Sequence, residues 1–292
     1  MFPAQFEYCP ARSIDEALSA LSQFGADARV LAGGQSLIPA MRYRLARPAM
    51  LVDINPIREL AYLREEDGWL LVGARTRDFA IETSGTVAWR YPLVADASRV
   101  VADPVVRQSG TLVGSICHND PAGDWPVVAT ATRAEVRIRG KAGSRSVSID
   151  DFLVDSFETA VGPGEMAIEV RFPVPPQRTS GAYFKAERKV GDFATASAAV
   201  QLTLSPDGTV IDAGVAVGAV GPKALRVEKA EQMLRGARPT ADLIRAAADE
   251  AGRVADPVSD NRGSAEYKRE LASVLVARAL KKTLERLDAG GL

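Results

Sequence analysis

Two stretches decide how this chain is read: Arg29-Val30-Leu31-Ala32-Gly33-Gly34-Gln35-Ser36, and Gly110-Thr111-Leu112-Val113-Gly114-Ser115-Ile116-Cys117-His118-Asn119-Asp120-Pro121-Ala122-Gly123-Asp124-Trp125-Pro126. In the first, a short apolar strand over 29–31 runs into a double-glycine turn. In the second, glycines at 110 and 114 bracket another expected turn. Glycine lets a backbone approach a ligand without a Cβ in the way, and successive turn amides can form a concavity suited to a diphosphate. Neither stretch fits G-x-G-x-x-G or the P-loop, which carries a Lys after its second Gly. On spacing alone, both also read as ordinary tight turns.

Outward from these stretches, the flanking pattern predicts an interleaved α/β opening. Ser13 and Glu16 have capping-box spacing, with Leu18 and Leu21 on one helical face and Gly25 as a stop. Strands are expected at Leu51–Ile54, Leu70–Gly73 and Glu135–Arg139, and helices over Phe79–Thr83 and Tyr91–Val101. Gly162-Pro163-Gly164 marks a turn, and Pro173-Val174-Pro175-Pro176 reads as a linker between domains. Beyond it, Ala182–Glu187, Ala196–Leu204 and Val210–Val220 are expected to form an antiparallel sheet, the last two joined by the Ser205-Pro206-Asp207-Gly208 hairpin turn. Helices follow near Ala224–Leu234 and Ala241–Val254. A final helix carries Leu271, Val274, Ala277, Leu280, Leu284 and Leu287 at spacings of three and four. Strands followed by helices make this second part an α+β unit.

Composition narrows the function classes. With 292 residues, of which 47% are hydrophobic, the chain can bury a sizeable core and suits two domains. Charged residues make up 25% and leave a formal charge of -1, so there is no broad footprint for nucleic acid or anionic lipid. No apolar run approaches the ~18 residues of a membrane helix. The opening Met-Phe-Pro-Ala-Gln-Phe-Glu-Tyr does not resemble a signal peptide, and a cytoplasmic location is expected. With Cys9 and Cys117 as the only cysteines and His118 as the sole histidine, a His/Cys metal cluster in this chain is not expected. Any redox chemistry here calls for an organic cofactor or another subunit.

The two stretches together, with Glu-Arg-Lys-Val-Gly-Asp-Phe-Ala at 187–194, resemble the FAD-binding medium subunits of molybdenum hydroxylases of the xanthine oxidase and CO dehydrogenase type. Order, spacing and length agree over nearly the whole chain. The resemblance implies an α+β fold with two domains. The first, residues 1–176, is a two-part FAD-binding domain of the vanillyl-alcohol-oxidase (PCMH) type. The second, residues 177–292, is a smaller CO dehydrogenase flavoprotein C-terminal-like domain, a three-stranded antiparallel sheet plus helices that closes over the flavin.

By the same resemblance, Ala32, Gly33, Gly34, Gln35 and Ser36 with Thr111, Val113, Gly114 and Ser115 would surround the FAD diphosphate. Asp124 would hold the ribose of the AMP half through its carboxylate; on the residues alone it reads as a helix N-cap before Trp125-Pro126. Lys185 and Phe193 would lie near the isoalloxazine ring, the one a cation beside N1 and the C2 carbonyl, the other an aromatic cover. Their plainer readings are a solvated strand charge and a core Phe. Val101 and Met166 would be apolar flavin contacts, or plain core. The chain departs from the family at Val113-Gly114, where Gly-Gly is usual. Binding is expected to survive if Val113 keeps a negative φ and turns its side chain inward. His118 has no accompanying nucleophile motif and reads as structural. Gln35 stands where related flavin folds can carry a ring-linking His, so the FAD should be noncovalent.

The resemblance assigns no catalytic residue for hydroxylation to this chain. It implies an electron-transfer subunit between an iron-sulfur small subunit with 2Fe-2S clusters and an external acceptor. The molybdenum cofactor would sit on a large subunit, and the assembly would be a dimer of heterotrimers. Two other readings stand beside it: a self-contained flavin oxidoreductase, and a noncatalytic scaffold that has lost FAD.

Overall fold

A computed structural model describes residues 2–289; Met1 and residues 290–292, the last three of the expected C-terminal domain, lie outside the described residues. The chain opens with β1 (Glu7–Pro10), α1 (Ile14–Phe24), β2 (Ala28–Leu31), α2 (Leu37–Arg42) and β3 (Met50–Asp53). These make a small parallel sheet in the order β1-β3-β2. The predicted cap is present: Ser13 accepts the Glu16 amide at 3.1 Å, while the Glu16 carboxylate accepts the Arg12 amide at 2.8 Å. Ala17, Leu18 and Leu21 form the buried face of α1, and Gly25 ends it at φ +55°.

Next come β4 (Leu63–Glu66), β5 (Trp69–Gly73), α3 (Asp78–Glu82), α4 (Gly85–Arg90) and α5 (Pro92–Ser98). They are followed by α6 (Pro104–Ser109), α7 (Leu112–His118) and α8 (Asp124–Thr132). This lobe closes with β6 (Glu135–Gly140), β7 (Gly143–Ser148), α9 (Ile149–Phe152), β8 (Leu153–Asp155), β9 (Glu158–Thr159) and β10 (Met166–Pro173). Its main sheet has the order β4-β5-β10-β6-β7 and is antiparallel throughout. Two local expectations need correction. The helix expected to reach Val101 stops at Ser98, and the glycine stretch at 110–115 is no turn, because Thr111 caps a helix there.

The final part comprises β11 (Thr179–Ala186), β12 (Ala196–Leu204), β13 (Val210–Gly218), β14 (Leu225–Arg226), α10 (Glu228–Leu234), α11 (Ala241–Val254) and α12 (Ala265–Ala289). The three long strands pair antiparallel as expected. The sheet gains a fourth member, since the two-residue β14 pairs with Ala216 and Val217 where helix was expected.

This sheet is buried on both faces, and strand alternation sorts its side chains. Ala182, Ala198, Val200, Val215 and Val217 join the core beneath α11 and α12, whereas Tyr183, Ala199 and Ala216 belong to the core of the first domain. Helix α8 is buried along its whole length, as expected of a helix apolar all round. It lies so close to β13 that a Cβ on Gly214 would overlap the Ala131 carbonyl. Across the same junction, Arg286 of α12 grips Asp96 of α5 through two contacts of 2.7 and 2.9 Å.

Candidate functional site

The first glycine loop leaves β2 after Leu31, and Gly34 turns it at φ +73°. A Cβ on Gly33 would overlap the Ser109 carbonyl oxygen and stand 2.9 Å from the Gly110 Cα. The two stretches quoted at the outset therefore meet backbone to backbone. Among the described residues, the amides of Gly33, Gly34, Gln35 and Ser36 donate to no protein acceptor. Four consecutive donors without a protein acceptor beside a glycine contact have the chemistry suited to an anion.

On the facing side, Thr111 Oγ1 accepts the Gly114 amide at 3.2 Å and starts α7, with Ser115 one residue further along the helix. Val113 has helical geometry and is absent from the residues with positive φ; its side chain is 2% exposed and packs in the main core. A β-branched residue is thus tolerated where the family usually has glycine, because the position asks for no left-handed backbone.

Behind the loops runs a network that the sequence reading missed. Asn55 Nδ2 donates to the Ala32 carbonyl at 2.8 Å and to Asp53 Oδ1 at 2.6 Å. Arg77 donates to Asn55 Oδ1 at 2.6 Å and to the Ser109 carbonyl at 2.5 Å. Tyr8 closes the far end on Asp53 Oδ2 at 2.5 Å. Beside it, Asp78 accepts the Trp125 indole N-H at 2.9 Å and underlies Gly110. Burial pushes its carboxyl up to about 7 against the opposing pull of the Trp125 hydrogen bond and Arg107. No local motif marks the contacts that hold the loops, since Asn55 to Ala32, Arg77 to Ser109 and Asp78 to Trp125 each join residues distant in sequence; only the Asn55–Asp53 bond is local.

A second cluster forms where the C-terminal domain meets α8. Asp124 is the first residue of that helix, with Gly123 as the cap, and its carboxylate is 9% exposed. Its Oδ1 accepts the Tyr183 hydroxyl at 2.7 Å, and Lys185 Nζ lies 3.3 Å from the same oxygen. Lys185 is no solvated strand charge: its side chain is 3% exposed. Its ammonium also donates to the carbonyls of Val100 at 2.6 Å and Asp192 at 3.2 Å, and pairs with Glu187 at 3.3 Å. Burial raises the Asp124 carboxyl above its ordinary range, with Lys185 and Tyr183 pulling the other way. Tyr183 and Lys185 alternate on β11, so a period of two could have flagged the tyrosine.

The other expected residues are less uniform. Phe193 is 52% exposed, which rules out a core Phe; its carbonyl accepts Arg262 at 2.8 Å. Val101 packs on the main core and offers its carbonyl to Arg107 at 3.0 Å. The turn at Gly191 reaches this segment, because a Cβ on Gly191 would lie 3.2 Å from the Ala102 carbonyl. Met166 is 2% exposed, at the start of β10 and paired with Arg139, so its side chain is committed to the core. Gln35 is exposed. His118 packs on Phe157, with ring centroids 5.1 Å apart, and burial lowers its pKa.

The chain matches two family models: the FAD binding domain in molybdopterin dehydrogenase over residues 4–175, and the CO dehydrogenase flavoprotein C-terminal domain over residues 181–283. The carbon monoxide dehydrogenase medium chain of Hydrogenophaga pseudoflava is 40% identical, with 98% of this chain and 99% of the relative covered. The 6-hydroxypseudooxynicotine dehydrogenase complex subunit alpha of Paenarthrobacter nicotinovorans is 36% identical, with 98% and 97% covered. Among solved structures, carbon monoxide dehydrogenase from Hydrogenophaga pseudoflava superposes with a TM-score of 0.95 at 41% identity, covering 98% of this chain and 99% of the matched chain. Full-length similarity of this kind, together with a paired-loop cradle and a C-terminal domain packed against it, places this chain in the family of FAD-binding medium subunits of the molybdenum hydroxylases.

Proposed function

We propose that the chain is the electron-transferring FAD subunit of a molybdenum hydroxylase complex, taking single electrons from an iron-sulfur small subunit and delivering them to an external acceptor. A large subunit with the molybdenum cofactor would carry out the hydroxylation, and two heterotrimers would pair in the cytoplasm. The observation that carries this reading is the run of four unpaired amides at 33–36, seated against the Ser109-Gly110 backbone. Bound FAD would supply a centre able to exchange electrons singly or in pairs.

In this reading, the backbone of 32–36 and the Thr111, Val113, Gly114 and Ser115 segment would bind the diphosphate, and Asp124, 3.3 Å from Lys185, would accept a hydroxyl of the cofactor. Lys185 would hold positive charge toward the ring, Phe193 would offer it an aromatic cover, and Val101, with Met166 from within the core, would give apolar support. Lys185 is already surrounded by protein acceptors, so it serves the ring by exchanging one of them. Gln35 offers no imidazole, so the cofactor is held without a covalent bond. The linker ending at Pro176 divides the FAD-binding domain from the C-terminal domain.

The test is purification of the chain from its native host, with flavin, metal and subunit analysis. One acid-releasable FAD per chain, copurifying with a molybdenum subunit and an iron-sulfur subunit, is the expected result. Flavin that stays on a tryptic peptide refutes the noncovalent assignment. Flavin without partner subunits favours a self-contained oxidoreductase, and a flavin-free chain that takes up no FAD favours the scaffold.

A further inference from the structure

Resting on the FAD reading above, we infer that Asn55 and Arg77 are positioning residues for the cofactor, forming a strut that locks the two diphosphate loops to each other from behind. The strut joins the two lobes of the first domain. Tyr8 and Asp53 come from the parallel sheet, Arg77 from the segment before α3, and Ser109 from the end of α6. It ends on a carbonyl of each loop: Asn55 on Ala32, Arg77 on Ser109.

The direction of these bonds is what matters. In a planar trans peptide the C=O and N-H point opposite ways, so the donor that holds the Ala32 carbonyl aims the Gly33 N-H away from the strut. That amide is the first of the four left without a protein acceptor. The second loop is tied on several sides: the Gly110 amide donates to Val106 at 2.7 Å, and its carbonyl accepts the Asp78 amide at 2.9 Å. The first loop has far less. The Ala32 carbonyl is its grip on the strut, and Gly34 adds a bond within its own turn, to the Ile38 amide at 2.9 Å. Asn55 suits the middle position because one amide group donates to Ala32 and Asp53 while accepting from Arg77. Arg77 suits the end because its fork reaches two oxygens at once, which a lysine ammonium on a flexible stem does not reproduce. A half-buried guanidinium also places fixed positive charge behind donors that would face a diphosphate.

The experiment compares FAD dissociation constants and flavin-free melting temperatures for the wild-type complex and for Arg77→Gln, Asn55→Leu and the double variant. Each single substitution is expected to weaken FAD binding about tenfold or more, as loss of charge-assisted hydrogen bonds implies. The double variant should lose much less than the product of the two, because both cut the same strut. Should Arg77→Gln fail to fold, Arg77→Lys keeps the charge and the stem and must still weaken binding. Variants that fold and bind FAD within about twofold of wild type overturn the inference, as does a lowered melting temperature with an unchanged dissociation constant. A wild-type chain that binds no FAD refutes the underlying reading instead.

Discussion

The loop cradle and the Lys185 cluster both stand at the proposed cofactor site, yet they are built in opposite ways. The cradle presents backbone donors with no protein acceptor, held in place from behind. The cluster is a paired knot in a nearly dry junction: Asp124 accepts from Tyr183 and pairs with Lys185, which also pairs with Glu187, while Glu187 Oε2 has no hydrogen-bond partner among the described residues. Unpaired fixed donors serve affinity, since their ordering precedes binding and little reorganisation is left. A charge already paired must exchange partners to act on a ligand, so a small contribution to affinity is expected of it.

The sharpest way to break this contrast is Gly33→Ala. The added Cβ would overlap the Ser109 carbonyl, a backbone atom that cannot rotate away, and so the loops must part. Parting the loops would misalign several donors at once, each worth about 1 kcal/mol, so FAD binding is expected to weaken on the order of 100-fold. Flavin retained in stoichiometric amount by this variant would show that the contact between the loops is not needed for binding.

Asp124→Asn tests the knot. It keeps an oxygen for Tyr183 and removes the negative charge facing Lys185. A stability loss of about 2 kcal/mol is expected, with a smaller change in FAD affinity than Gly33→Ala causes. Chemical denaturation alongside flavin titration checks both, and an affinity loss exceeding the stability loss would reverse the roles assigned to the two regions.

The smallest effect is expected at Asp78, beneath Gly110. Burial raises its folded pKa from 3.8 to about 7, so between those values the folded chain keeps a proton that the unfolded chain releases. The stability this group contributes is therefore present at low pH and is lost as the pH rises toward 7. Between pH 8 and pH 6, wild type should gain about 1 kcal/mol relative to Asp78→Asn. Parallel stability profiles for the two proteins would show that the carboxyl is not held protonated.

Much of the secondary structure was legible because its causes are local. The Ser13 cap and the Gly25 stop bound α1, and the patterns for β12 and α11 matched their observed limits. The glycine stretch at 110–115 misled, because composition favoured a turn while Thr111 capped a helix. The edge strands β1, β4 and β7 carry too little apolar alternation to announce themselves, and β10 gains its identity from β5 and β6 on either side. At the site, the glycines and Lys185 were visible through a family pattern. Asn55, Arg77 and Asp78 were not, since each acts on a partner brought near by the fold.

By itself, the sequence determined α1, α11, α12 and the three long strands of the C-terminal sheet, the division of the chain near Pro176 as an expectation, and a family resemblance carried by three short motifs. Only the tertiary structure decided that the two glycine stretches touch, that Val113 turns into the core, and that Lys185 spends its charge on Asp124 and Glu187. The physical reason is range. Caps, periodicity and turn chemistry act over a few residues, whereas the strut and the knot join atoms whose proximity exists only after the lobes have packed.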